Sequence, residues 1–286
     1  MVEASSRHDP TLSESIDLAV ASQATLRSAR RLLRRKERQS FRRFLAEGRQ
    51  AISEALRRPG TVLELVVADD SIGRHLDLLS TASDTGVRIS AAPARAMTEL
   101  AATVTPQGLI AVCEMVDVPA DEALAGNPRL VVLCDQVRDP GNLGTVIRCA
   151  DAFGADAVLI SRDSVDVYNA KAVRATTGSL FHLALATAID LADAVDLARK
   201  AGLQVLGADA SGPSTVDDLA RSGELDQPTL WVMGNEAWGL PPEHVTLLDR
   251  LVALPIYGRA ESLNLSTAAA VFLYASATAQ RVDKSA

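Results

Sequence analysis

The chain has 286 residues, 48% of them hydrophobic, and a net charge of −7, enough apolar content for a substantial core in one large domain or two smaller ones. No run of about 18 consecutive apolar residues is present for a membrane span, and "MVEASSRHDPTLSES" lacks the charged-then-apolar layout of a secretory signal, so a cytoplasmic protein without a membrane partner is expected. Cys113, Cys134 and Cys149 lie in apolar surroundings with no C-x-x-C or histidine at ligand spacing, which argues for reduced core thiols rather than a metal site or a disulfide framework.

Residues 1–24 are polar and uncapped, and are expected to be loosely ordered or a short helical lead-in. Between Leu26 and Arg58 stand twelve Lys or Arg against three Glu, a charge of +9 that leaves −16 for the rest of the chain. Such asymmetry fits a local polyanion-binding surface on an acidic body, and equally a solvated helix face. Within that segment Phe44, Leu45, Ile52 and Leu56 follow Ser40 at helical spacing. "VLELVVAD", "VRISAA" and "GLIAVCEMV" read as strands, with "GRHLDLLSTASDTG" and "ARAMTELAAT" as helices between them. Residues 25–117 therefore form a small α/β domain, and the Pro-, Gly- and acid-rich stretch 118–128 is expected to be a linker.

From residue 129 to 286 the alternation restarts. "LVVLCD", "DAVLI", "LALAT", "QVLGAD", "TLWVM" and "LVALP" are short apolar runs of the kind that fill a parallel sheet covered on both faces. Helical patterns such as "LGTVIRCADAFG" and "DLADAVDLARKAG" separate them, which predicts an open α/β sheet with ligands bound beyond the carboxyl ends of its strands.

Three loops at such ends are rich in Gly and polar residues: "QVRDPGNLG", "GNEAWGLPPE" and "PIYGRAESLNLS". In the first, Asn142 is a candidate N-cap with Gly144 opening the helix, and Arg148 would then lie near a helix N-terminus, a place suited to phosphate or a developing anion. A cap followed by a surface Arg is the plainer alternative. In the second, Gly234 lets a ligand or another segment approach the backbone, and Glu236 sits at the same rim. Neither a dinucleotide G-x-G-x-x-G after the first strand nor a P-loop is present, and His8, His75, His182 and His244 all fall outside these loops, which disfavours kinase and Ser–His–Asp hydrolase chemistry.

In this order the loops resemble the motifs of the SpoU (TrmH-type) family of RNA ribose 2′-O-methyltransferases, within the SPOUT superfamily. The match is N-x-G-x-x-x-R at Asn142, Gly144 and Arg148, G-x-E-x-x-G at Gly234, Glu236 and Gly239, and a final motif at Pro255, Ser262, Leu263, Asn264 and Ser266. "VRATTGSLFHLAL" adds to it, and "FRRFLAEGRQAISEAL" is similar to the family's accessory RNA-binding module. The resemblance implies an α/β fold: a C-terminal parallel-sheet domain tied in a trefoil knot, preceded by a small α/β RNA-binding domain. It further implies S-adenosylmethionine as methyl donor, no metal, and a homodimer through the knotted domain with the helix from Leu265 at its interface.

By the same resemblance Gly234, Leu254 and Leu263 would hold the donor through their backbones, and Ile256 and Gly258 would line its adenine side. Asn142, Arg148, Glu236, Ser262 and Asn264 would form the reactive rim, with Arg148 the principal catalytic residue. A guanidinium protonated below about pH 12 suits an electrostatic role better than that of a base. The Glu236 carboxylate could order the loop or act as a base, and Asn264 could orient the ribose or hold the loop. Arg34, Arg35, Arg42 and Arg43 are the candidate RNA-binding residues. Methylation of a ribose in ribosomal RNA is the expected function. Transfer RNA methylation, an antibiotic-resistance methyltransferase and a non-catalytic RNA-binding or ribosome-assembly protein are the alternatives.

Overall fold

A computed structural model of the chain describes residues 18–101, 103 and 105–281, and the chain folds as two units, Met1–Met115 and Val116–Ala286. Of the segment 1–24, residues 1–17 lie outside the described residues. The remainder is regular: β1 (Ala19–Val20) pairs in parallel with Ser90 and Ala91, and the Ser22 hydroxyl caps α1 (Gln23–Arg31) by accepting from Thr25 N–H at 3.0 Å.

The first unit continues with α2 (Arg35–Phe41), β2 (Arg43–Glu47), α3 (Arg49–Arg57), β3 (Val62–Ala68), α4 (Leu76–Asp84), β4 (Arg88–Ala92), α5 (Ala94–Leu100) and β5 (Leu109–Glu114). Its five-stranded sheet runs β1-β4-β3-β5-β2, with β5 antiparallel to both neighbours. The helix expected to run on from Ser40 through Phe44 does not form. Arg42, at φ 53°, ends α2 in the left-handed region, and Gly48, at φ 95°, turns the chain again before α3. Arg43–Glu47 is instead a strand. Phe44 and Ile52 are both fully buried, so a strand and the following helix facing one core mimic a single helical spacing.

The second unit contains α6 (Ala120–Ala123), β6 (Leu130–Cys134), α7 (Pro140–Ala152), β7 (Ala157–Ser161), α8 (Ala170–Thr176), β8 (Ala184–Ile189), α9 (Leu191–Lys200), β9 (Gln204–Ala208) and β10 (Ser214–Thr215). It ends with α10 (Val216–Ser222), β11 (Thr229–Met233), α11 (Pro242–Val245), β12 (Arg250–Ala253) and α12 (Leu265–Arg281). Residues 118–128, expected as a linker, fold onto this unit: Val118 N–H donates to Leu185 O at 2.8 Å, and Ala123 and Leu124 enter the core.

All pairings in the seven-stranded sheet, β10-β12-β9-β11-β6-β7-β8, are parallel. Every residue of β6, β7 and β11 is buried, as expected for strands covered on both faces. The order advances from β6 to β8 and then reverses to place β9 and β11 on the other side of β6, so a switch point lies between β6 and β11. The buried stripe of α12 is Ser266, Ala269, Phe272, Leu273, Ser276 and Ala277, at helical spacing. Ser276 is polar because its hydroxyl accepts from the indole N–H of buried Trp231 at 2.9 Å.

Candidate active site

The three polar loops leave the carboxyl ends of β6, β11 and β12. Asp139, not Asn142, caps α7: its carboxylate accepts from Asn142 N–H at 2.9 Å, and Pro140 fills the first helical position. Gly144 lies inside the helix, where a Cβ would meet Ala172 O of α8 at 2.4 Å; its role is close helix packing. Asn142 is thereby placed in the first turn with its side chain available to the other loops.

That side chain joins them. Asn142 Nδ2 donates to Glu236 Oε1 at 3.0 Å, while Asn142 Oδ1 accepts from Asn264 Nδ2 at 3.0 Å. Asn264 Oδ1 in turn accepts from Ser266 N at 3.0 Å and from Ser266 Oγ at 2.7 Å, capping α12. Glu236 also accepts from the backbone N–H groups of Arg138 and Asp139 at 3.3 and 3.4 Å. Its carboxylate thus holds the first loop against the second, and Asn264 holds the third against the first. Both amides have their polar groups engaged within the protein.

A cavity of ≈ 620 Å³ opens beside this network, within the range of about 300–1,000 Å³ typical of small-molecule sites. Gly234, Leu254, Ile256 and Leu263 line it, as do Glu236, Ser262 and Asn264; Gly258 lies on the same loop but off the lining, Asn142 reaches the lining through its bonds to Glu236 and Asn264, and Arg148 is not in the lining. Asp209, Glu236 and Glu261 are in the lining, and among the described residues no Lys, Arg or His is. Such a wall favours a cationic ligand.

Arg148 is exposed on α7, six residues beyond Asn142, about 9 Å along the axis at 1.5 Å per residue, so it stands further from the helix N-terminus than expected. Among the described residues it forms no hydrogen bond or ion pair. Burial pushes the neighbouring Cys149 thiol up and the Cys134 thiol up to about 12, which leaves neither as a thiolate nucleophile. His244, which directly follows the second loop in sequence, reaches the first: Nδ1 lies 2.6 Å from Oδ2 of buried Asp135, just after β6.

In the first unit Arg34, Arg35, Arg42 and Arg43 are all exposed around α2 and the start of β2. Arg38, in the same run, is buried and donates to Leu32 O and Leu33 O, both at 2.9 Å, so it is structural. Arg31 pairs with Glu37 at 2.6 Å and lies over the Phe41 ring at 4.7 Å.

Sequence reasoning passed over three residues of the site. Asp139 was detectable from Asp-Pro, an N-cap followed by proline at N1. Asp209 follows β9 at the same sheet edge as the motifs, and the rule of carboxyl-end loops points to it. Trp238 fills an unspecified position of the second motif, yet a tryptophan in a polar loop is itself a signal.

Residues 129–274 match the SpoU rRNA Methylase family, and residues 23–111 match the MRM3-like substrate binding domain. The chain is 34% identical over 245 residues to RlmP of Bacillus subtilis, a 23S rRNA guanosine 2′-O-methyltransferase, covering 86% of this chain and 92% of that one. Among solved structures, the SpoU methyltransferase AviRb of Streptomyces viridochromogenes superposes with a TM-score of 0.76 at 32% identity, over 90% of this chain and 98% of that one. An rRNA methyltransferase of Sinorhizobium meliloti with bound AdoMet gives 0.77 at 29% identity, over 90% and 96%. With more than half its length in the family match and all three loop motifs gathered at one sheet edge, the chain belongs to the SpoU rRNA methylase family.

Proposed function

We propose that the protein methylates the 2′-hydroxyl of a ribose in structured ribosomal RNA, with S-adenosylmethionine as methyl donor. The observation that carries this is the Glu236–Asn142–Asn264 chain of hydrogen bonds, which fixes three loops around an acid-walled cavity. The donor supplies an electrophilic methyl on a sulfonium, and the three lining carboxylates suit its cationic centre. Gly234, Leu254 and Leu263 offer it backbone groups, with Ile256 and Gly258 on the adenine side and Ser262 at the rim. Holding two reactants in register is worth about 7–11 kcal/mol of barrier. Glu236 and Asn264 serve as loop-ordering residues, since their polar atoms are engaged. Arg148, with no protein partner among the described residues, anchors the adjacent phosphate and stabilises the developing alkoxide.

The protein works as a cytoplasmic homodimer, and Arg34, Arg35, Arg42 and Arg43 bind RNA. Val271 and Tyr274 on α12 are 40% and 59% exposed, an apolar strip suited to a second copy. The reversed position of β12, outside β9, and the return of α12 to α7 and β11 accord with a trefoil-knotted chain. No helix among the described residues is long and apolar enough to cross a membrane. Transfer of label from methyl-labelled S-adenosylmethionine to unmodified 23S rRNA, with the product mapped as a 2′-O-methyl ribose, tests the function. Label appearing on a base, on tRNA alone or not at all would overturn it.

A further inference from the structure

We propose that Trp238 is the stacking platform for the base of the nucleotide whose ribose is methylated. The chain has two tryptophans, and they are opposites. Trp231 is fully buried with its indole N–H bonded to Ser276, whereas Trp238 is 57% exposed on the cavity lining. Among the described residues the Trp238 ring makes no hydrogen bond and no ring contact. An indole this exposed at the wall of a cavity leaves an aromatic face open to a ligand.

The loop presenting it is closed by its own hydrogen bonds. Asn235 and Gly239 exchange both backbone hydrogen bonds, at 2.9 and 3.0 Å, and Gly239 takes φ +69° to close the turn. Buried Asn235 accepts from Ala237 N–H at 2.8 Å and donates to Gln136 O at 2.8 Å, which ties the turn to the β6 loop. Trp238 is therefore held two residues from Glu236, whose carboxylate binds Asn142 in the reactive network. A ribose brought to that network carries its base with it, and an unstacked base is recognised by stacking on an aromatic face. The inference rests on the proposed ribose chemistry for the identity of the nucleotide.

The test uses the full-length protein and unmodified 23S rRNA transcript. Because Trp231 is sealed in the core, RNA-dependent quenching of tryptophan fluorescence reports Trp238, with Trp238→Phe as the silent control. Quenching is expected in the wild type and absent in that variant. In methyl transfer, Trp238→Ala should raise the KM for RNA on the order of tenfold to a hundredfold, and Trp238→Phe should restore most of it. Donor affinity by calorimetry should change far less than the KM for RNA in either variant, although the ring borders the donor cavity. Quenching by S-adenosylmethionine alone would assign the ring to the donor's adenine, and a change of oligomeric state in Trp238→Ala would assign it to a second copy; either overturns the proposal, as does wild-type fluorescence indifferent to RNA. Quenching by RNA without methyl transfer would instead sink the proposed reaction and leave the stacking role standing.

Discussion

Asn264 donates from its Nδ2 to Oδ1 of Asn142 at 3.0 Å, joining two loops 122 residues apart. The same Asn142 donates onward to Glu236, so one amide is the keystone of the site. Asn142→Ala and Asn264→Ala should therefore be coupled: in a double-mutant cycle on the methyl-transfer rate we expect an interaction energy of about 0.5–3 kcal/mol. Asn264→Asp keeps the acceptor for Ser266 but sets a carboxylate against the Asn142 oxygen, and should be as impaired as Asn264→Ala. Additive single mutants would show that the bond carries no functional weight.

Arg148 stands outside the cavity lining and has no protein partner among the described residues, so its removal should spare donor binding. Arg148→Ala is expected to lower single-turnover methyl transfer by about 10²–10³ with the calorimetric Kd for S-adenosylmethionine unchanged. Arg148→Lys keeps the charge but loses the planar fork, and should fall between. A weakened Kd in the alanine variant would move Arg148 into the donor site.

Much of this arrangement is legible in the chain itself, and the exceptions share physical causes. The strands β6, β11 and β12 stand out because burial on both faces demands short unbroken apolar runs, and the parallel-sheet rule then puts their loops together. β1 and β10 have two residues each, too few to carry a period. β2 was hidden because its core residues continue the spacing of α3. The cap of α7 was misplaced because "DPGN" contains two capping side chains, Asp139 and Asn142. The Asn142–Glu236 bond spans 94 residues: each loop can be located from sequence, but the contact between them follows only from the strand order.

The basic run of the first unit separates into structural and solvent-facing charges. Arg38 is spent on two carbonyls, whereas Arg34, Arg35, Arg42 and Arg43 are exposed. Arg43 lies 3.6 Å from Glu114 with both side chains about half exposed, a pair worth little. Neutralising these four together should weaken RNA binding and reduce the slope of log affinity against log salt by roughly 0.7–0.9 per lost phosphate contact. Arg38→Ala should instead lower the unfolding temperature. An unchanged salt slope would make the four arginines a solvated face.

Asp139 couples the α7 cap to pH. The Lys171 ammonium, 2.7 Å away, followed by the Asn142 N–H, holds its carboxyl below the usual carboxylate range. A depressed carboxyl contributes stability above its unfolded value, about 3.9, and loses it as pH falls through the lower folded value. Asp139→Asn keeps an N-cap of equal rank but deletes the charge, so near pH 7 it should cost well under about 1 kcal/mol, the pair being half exposed. In urea unfolding that gap should close in acid. Asp139→Ala also loses the cap and should cost about 0.5–2 kcal/mol more, at every pH. A gap for Asp139→Asn that widens in acid would refute the assigned linkage.

Gly144 sets the distance between α7 and α8. A Cβ there would meet Ala172 O at 2.4 Å and Ala175 Cβ at 2.6 Å, and neither a helical carbonyl nor a methyl on the facing helix can swing aside. Replacing glycine by alanine within a helix ordinarily gains about 1 kcal/mol, but overpacking costs about 1–3 kcal/mol, so Gly144→Ala should be net destabilising in urea unfolding. The clash falls between Asn142 and Arg148 on the same helix, and parting α7 from α8 would displace both. Methyl transfer should therefore drop further than the fraction of unfolded protein explains. A variant more stable than the wild type, with full activity, would mean the helices separate freely and that the glycine is present for another reason.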